Sequence, residues 1–167
     1  SDMDQFKAAV LSGSPFSVNQ TNSPDIDLKM IMGSKPIIAI CYGAQLVAKK
    51  FNGSVKNSNS REYGRANLSF IDENCSLFEG INVNNQVWMS HGDTISKLPS
   101  GAKVIASTNS VSNAAYSIDS LNLYALQFHP EVFHTENGLK IFENFFLKEL
   151  KFIKEWNPES FIDRTVK

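Results

Sequence analysis

Cysteine is scarce: Cys41 and Cys75 are the only two in 167 residues. They form no C-x-x-C spacing, which argues against a disulfide scaffold and a Cys-rich zinc site. Long apolar runs are missing, since no stretch reaches the roughly 18 residues that mark a membrane span. No basic segment runs into an apolar h-region, so nothing reads as a secretory signal. An excess of one charge is missing too. Sixteen Lys and Arg stand against seventeen Asp and Glu, a formal net charge of -1, so no overall basic field draws the chain to nucleic acid or an acidic membrane surface. Internal repeats and low-complexity segments are also absent. The expectation is a globular chain in a reducing, cytoplasmic setting, with neither nucleic acid nor membrane as partner.

With 42% hydrophobic residues, the chain has apolar material for one sizeable core. The run "FKAAVL" at 6–11 reads as a strand that stops in the turn "SGSP", where Gly13 and Pro15 punctuate the backbone. "IDLKMIM" predicts a short helix ending at Gly33. "PIIAI" at 36–40 is apolar without alternation, as in a parallel strand buried on both faces. Beyond Cys41, Ala44, Val47, Ala48 and Phe51 recur at i, i+3, i+4 and i+7, predicting a helix that Asn52-Gly53 ends. From 66 to 128 come short strand-like runs: "ANLSFI", "QVWMS", "AKVIAS", "AAYSI" and "LYALQF". "ENGLKIFENFFLKEL" then predicts a helix with Leu139, Phe142 and Phe146 on one face. Asn157 and Pro158 predict the start of a further helix, as N-cap and first helical residue. The expected organisation is a domain over 1–151, with a linker and the start of a following domain over 152–167. The opening Ser1-Asp2-Met3 reads as an internal start, so upstream sequence is expected to be missing.

The order strand, Cys41, helix raises the possibility of a nucleophile on a sharp turn. There the helix N-terminus favours thiolate, and the N–H of Tyr42 points at a developing oxyanion. Gly43 lets the helix approach closely. A buried cysteine is more often packing, and a C-x-G pattern alone is weak. A base is needed. Of His91, His129 and His134, His129 follows the strand "LYALQF" and opens His-Pro-Glu. Pro130 blocks further pairing, and the i, i+2 spacing puts His129 and Glu131 on one side. Alone, His129 reads as a strand-end imidazole bonded to backbone. With a thiol, an imidazole and a carboxylate all at strand ends, where α/β sheets place their sites, the functional reading leads.

"ICYGAQ", "REYGRA", "VWMSHGD" and "LQFHPEVFHTE", in that order over nearly the whole chain, resemble the glutamine amidotransferase domains of GMP synthetases, in the class I (triad) family. The resemblance implies an α/β fold with a central, mostly parallel sheet flanked by helices, in a flavodoxin-like architecture whose first strand and helix units are missing here. It also implies a triad of Cys41, His129 and Glu131 that releases ammonia from L-glutamine, with backbone N–H groups of Ser14 and Tyr42 as the oxyanion hole. Gln45, Ser90, His91, Gly92 and Asp93 match contacts to the substrate's amino-acid end. The bland alternatives are a solvated Gln45 and a turn at His91-Gly92. Expected partners are L-glutamine, an ATP-pyrophosphatase-type synthetase domain in the same full-length chain, and a second copy in a homodimer of the full enzyme. No metal or organic cofactor is expected for the glutaminase domain, whereas ATP and Mg belong to the synthetase domain that aminates XMP.

The sequence departs from the family pattern at Ser14, where the turn reads Gly13-Ser14-Pro15 in place of Gly-Gly-Pro, and at Ala39, two residues before Cys41. Arg61 and Arg65 lie in a charged run that is either a solvated turn or a contact to the synthetase domain. Cys75, without a His or basic neighbour, reads as packing or an inert loop thiol. Two alternatives stay open: another class I amidotransferase or γ-glutamyl hydrolase, and a catalytically silent docking module.

Overall fold

A computed structural model describes residues 6–33 and 35–151, with side chains at all of these except 59–62. The proposed linker over 152–167 lies outside the described residues, as does the helix start at Asn157-Pro158. Among the described residues, seven strands form one sheet: β1 (Ala9–Leu11), β2 (Ile37–Ile40), β3 (Ser54–Ile71), β4 (Gln86–Lys97), β5 (Lys103–Thr108), β6 (Ala115–Ile118) and β7 (Leu123–Leu126). Their order is β1-β2-β7-β6-β5-β3-β4. Two α-helices accompany them: α1 (Tyr42–Lys50) and α2 (Gly138–Asn144), which runs into a π-helical turn over Phe145–Glu149. No helix among the described residues is long and apolar enough to cross a membrane.

The expected parallel sheet is met only in part. β1-β2 and β2-β7 are parallel, while the β7-β6, β6-β5, β5-β3 and β3-β4 pairings are antiparallel. The unalternating run in β2 is explained by burial on both faces. Ile37 and Ala39 join Ala44, Val47 and Ala48 of α1 on one side, and Ile38 joins the cluster of Ile141 and Phe145 on the other. β7 alternates in step, with Leu123 and Ala125 facing α1 and Leu126 the opposite cluster. Sheet and helices are therefore layered as anticipated.

Three local expectations need correction. The first strand is shorter than "FKAAVL", and Phe6 is exposed. The charged run at 61–65 is no turn: it lies within the continuous strand β3, which pairs with β4 over most of its length. Its Lys, Asn, Ser and Gly content is poor for a strand, and long-range pairing overrides that preference. In α2, the expected stripe of Leu139, Phe142 and Phe146 is not the buried one. Leu139 is 81% exposed, whereas Ile141 and Phe145 are fully buried. Apolar residues at 138–147 satisfy helical spacing on two overlapping faces, and Asn144 decides between them by donating to the carbonyls of Leu77 and Glu79 at 3.0 and 2.9 Å.

Gly43 fixes how α1 meets the sheet. A methyl group there would lie 2.5 Å from the Leu11 carbonyl oxygen and 2.7 Å from its Cβ. Gly43→Ala should destabilise the protein by about 1–3 kcal/mol through this overpacking. Thermal or urea unfolding checks it, and wild-type stability would show that α1 can move off β1 freely.

Candidate active site

Three adjacent parallel strands, β1, β2 and β7, end on the same side of the sheet. Their C-terminal ends deliver the Gly13-Ser14 turn, Cys41 and His129 to one place. The Cys41 backbone has φ 49 and ψ -104, a conformation side chains disfavour. It is held by its N–H donating to the Leu126 carbonyl at 2.7 Å, and its own carbonyl accepts from Gln45 N–H at 3.1 Å to start α1. A methyl group on Gly13 would sit 3.2 Å from His129 Cε1, tight against the imidazole, and in ordinary contact with Cys41 Cβ at 3.8 Å. Ser14, by contrast, has no positive φ, so the departure from Gly-Gly-Pro strains no backbone.

His129 Nδ1 and Glu131 Oε1 lie 2.6 Å apart. The other ring nitrogen, Nε2, is buried and makes no hydrogen bond among the described residues. The Cys41 thiol donates toward the Ser90 carbonyl at 3.8 Å. Cys41 first, and then Glu131, raise the His129 pKa to about 10 against the opposing push of burial. Burial pushes the Glu131 carboxyl up, but the bond from His129, its backbone and the imidazole charge hold it below the usual range. His91 goes the other way: burial, aided by the charge on His129, lowers it to about 4. Among the described residues, no cluster of three or more His, Cys, Asp or Glu can hold a metal ion.

Cys41 opens onto a cleft of about 530 Å³, walled by Ser14 to Ser17 on one side and Ser90 to Asp93 on the other. Gln45 is not a solvated helix residue. It is 3% exposed, and its Nε2 donates to the Asp93 carbonyl at 2.8 Å. Nor do His91 and Gly92 form a turn, because both lie in β4, with His91 and Asp93 buried and Ser90 open. The Asp93 carboxylate accepts from the Ser17 hydroxyl and, at 3.4 Å, from Asn57 Nδ2. Tyr42 is buried at the first position of α1, and its hydroxyl donates to the Pro24 carbonyl.

Sequence reasoning misses Ser17, Gln20, Asn57 and Tyr63, which also line the cleft. Ser17 and Gln20 sit in a polar loop and Asn57 in a polar strand, so no periodicity marks them. Tyr63 falls within "REYGRA", and that motif is the one sequence signal that marks any of these four. Arg65 does not reach it: it is exposed and borders a separate depression with Asn67 and Asn109. The Arg61 side chain lies outside the described ones. Cys75 is buried away from any of these groups, before a short 3-10 turn at Ser76–Phe78.

The His129–Glu131 pair generates a titration prediction. The carboxylate raises the imidazole pKa, so Glu131→Gln should move the His129 transition downward from about 10. NMR titration of the His129 ring proton reads this directly. An unmoved midpoint would mean that Glu131 does not act on the ring.

The family model for class-I glutamine amidotransferases matches residues 2–149. Glutamine-hydrolyzing GMP synthases of Flavobacterium psychrophilum and Christiangramia forsetii are 47% and 49% identical to the chain over 165 residues, 99% of this chain and 32% of each relative. The chain thus spans about a third of the length of the curated relatives it matches. Among solved structures, a candidate GMP synthase component from Thermoplasma acidophilum aligns with a TM-score of 0.65 and 31% identity, over 80% of this chain and 62% of that one. In sequence and in fold, the chain belongs to the class-I glutamine amidotransferase family.

Proposed function

We propose that the chain is the glutaminase portion of a glutamine-hydrolysing GMP synthase, with Cys41 as nucleophile, His129 as general acid and base, and Glu131 as the group that orients the imidazole. The observation that carries it is the meeting of thiol, imidazole and carboxylate at the ends of β2 and β7, with Nδ1 and Oε1 2.6 Å apart. The Cys41 sulfur, its proton passed to His129, attacks the side-chain amide carbon of glutamine, forming a C–S bond as the carbonyl opens to an oxyanion held by the N–H groups of Tyr42 and Ser14. His129, charged by that proton and held charged by Glu131, gives it to the departing nitrogen as the C–N bond breaks. The neutral ring then takes a proton from water as that water attacks the thioester. Glutamate leaves and the thiol is restored.

Gln45, Ser90, His91, Gly92 and Asp93 are the residues we assign to the amino-acid end of glutamine, because they line the cleft together with Cys41. Ammonia would pass to a synthetase domain that aminates XMP and brings its own ATP and Mg. Both cysteines are free, in keeping with the cytoplasmic setting we infer. Arg65, exposed outside the cleft, is our candidate contact to that domain, together with Arg61.

In the full-length protein, Cys41→Ala and His129→Ala should abolish glutamine-dependent GMP formation and spare formation from added ammonia. Glu131→Gln should lose less, because an amide keeps part of the orienting bond. Assaying both nitrogen donors checks this, and equal loss with ammonia would contradict separate sites. Arg65→Ala should keep nucleotide-free glutamine hydrolysis while blunting its stimulation by XMP and ATP. An unchanged response would remove Arg65 from the contact.

A further inference from the structure

We propose that Thr135 is a positioning residue for His129, resting on the role given to His129 above. Trp88 of β4 and His129 are joined by a closed ring of three hydrogen bonds. His129 N–H donates to the Trp88 carbonyl at 2.9 Å. Trp88 N–H donates to Thr135 Oγ1 at 3.0 Å, and Thr135 Oγ1 donates to the His129 carbonyl at 2.5 Å. Two antiparallel strands would exchange both bonds directly. Here the chain turns away after His129, through Pro130, so that Glu131 can reach back to the imidazole, and a side-chain hydroxyl supplies the return bond.

The hydroxyl has little freedom to do anything else. Thr135 is 5% exposed, and its N–H donates to the Val132 carbonyl at 3.0 Å. Its neighbour Glu136 is clamped at both ends: its N–H donates to the Gln86 carbonyl at 2.9 Å, and its carbonyl accepts from Asn85 Nδ2 at 2.7 Å. The Trp88 ring stacks on His134, the residue before Thr135, with centroids 4.2 Å apart. Two residues further along β4, the Ser90 carbonyl receives the Cys41 thiol. One joint therefore sets the backbone of His129 against the strand that holds the sulfur, and with it the separation of thiol and imidazole. Losing the hydroxyl strands a part-buried N–H and a part-buried carbonyl.

The test uses the full-length protein, with glutamine hydrolysis read as kcat and KM. Thr135→Val, nearly the same shape, should lower kcat about tenfold to a hundredfold, with KM held within about twofold, because the reacting groups are misplaced while the cleft is kept. Thr135→Ser should recover most of the loss. Normal turnover in Thr135→Val overturns the proposal, and so does equal loss in the Val and Ser variants, which would point to methyl packing. Should Thr135→Val fail to fold, hydrogen exchange in the unmodified protein decides: a protected Trp88 amide supports the ring, and exchange at the rate of an exposed amide overturns it. Hydrolysis that survives Cys41→Ala overturns the parent assignment of roles. Normal Thr135→Val turnover beside an inactive Cys41→Ala overturns the positioning role alone.

Discussion

The backbone turn at Cys41 is the constraint on which the rest of the structure depends. A non-glycine residue at φ 49 and ψ -104 persists only where its surroundings leave no alternative. Those surroundings are specific. β2 is buried on both faces, so the chain entering the turn cannot shift. The last ladder bond, from Cys41 N–H to the Leu126 carbonyl, ties the turn to β7. On the exit side, Gly43 lies against Leu11, and the fully buried Tyr116 hydroxyl donates to the Ala44 carbonyl at 2.7 Å. Three strands and a helix thus converge on one strained residue and place its sulfur at the mouth of a cleft.

β4 supplies the opposing wall, and polar side chains hold it there. Gln45 reaches the Asp93 carbonyl, Gln127 accepts from Ile95 N–H at 3.1 Å, and Asn113 donates to the Ile95 carbonyl at 2.8 Å. Gln127 is fully buried and also donates to the Asn113 carbonyl at 2.9 Å, so both ends of its amide are used. Such bonds specify a register where apolar contact would tolerate sliding. A strand shifted by one residue would turn each side chain of β4 to the opposite face of the sheet.

The proposed triad was legible in the sequence because each of its members stands at a chain-local signal: a buried run ending in Cys-x-Gly, and a strand ending in His-Pro-Glu. Glu131 follows His129 closely enough that two-residue spacing sufficed. The walls were less legible. Gln45 entered the site through the family resemblance, and its alternative, a solvated helix position, is removed only when β4 is laid over α1; the Ser17, Asn57 and Asp93 network joins three segments far apart in sequence. The antiparallel half of the sheet escaped for a related reason, since short alternating runs carry no sign of direction. The buried face of α2 was ambiguous because two apolar stripes overlap, and a polar residue, Asn144, selects between them.

Two imidazoles share this small site, and the protein separates their charges. His129 sits between Cys41 and Glu131, which together hold a proton on it up to about pH 10. His91 is buried in β4, and desolvation, reinforced by the charge on His129, keeps it neutral down to about pH 4. Over the range between those values, a single imidazolium faces the sulfur. Were both rings charged, each would weaken the other's hold on its proton, and the orienting effect of Glu131 would be divided. With His91 neutral, the carboxylate and the imidazolium form one local ion pair beside the sulfur, and in the proposed reaction the wall next to them receives a polar substrate without competing for the proton that the leaving nitrogen requires.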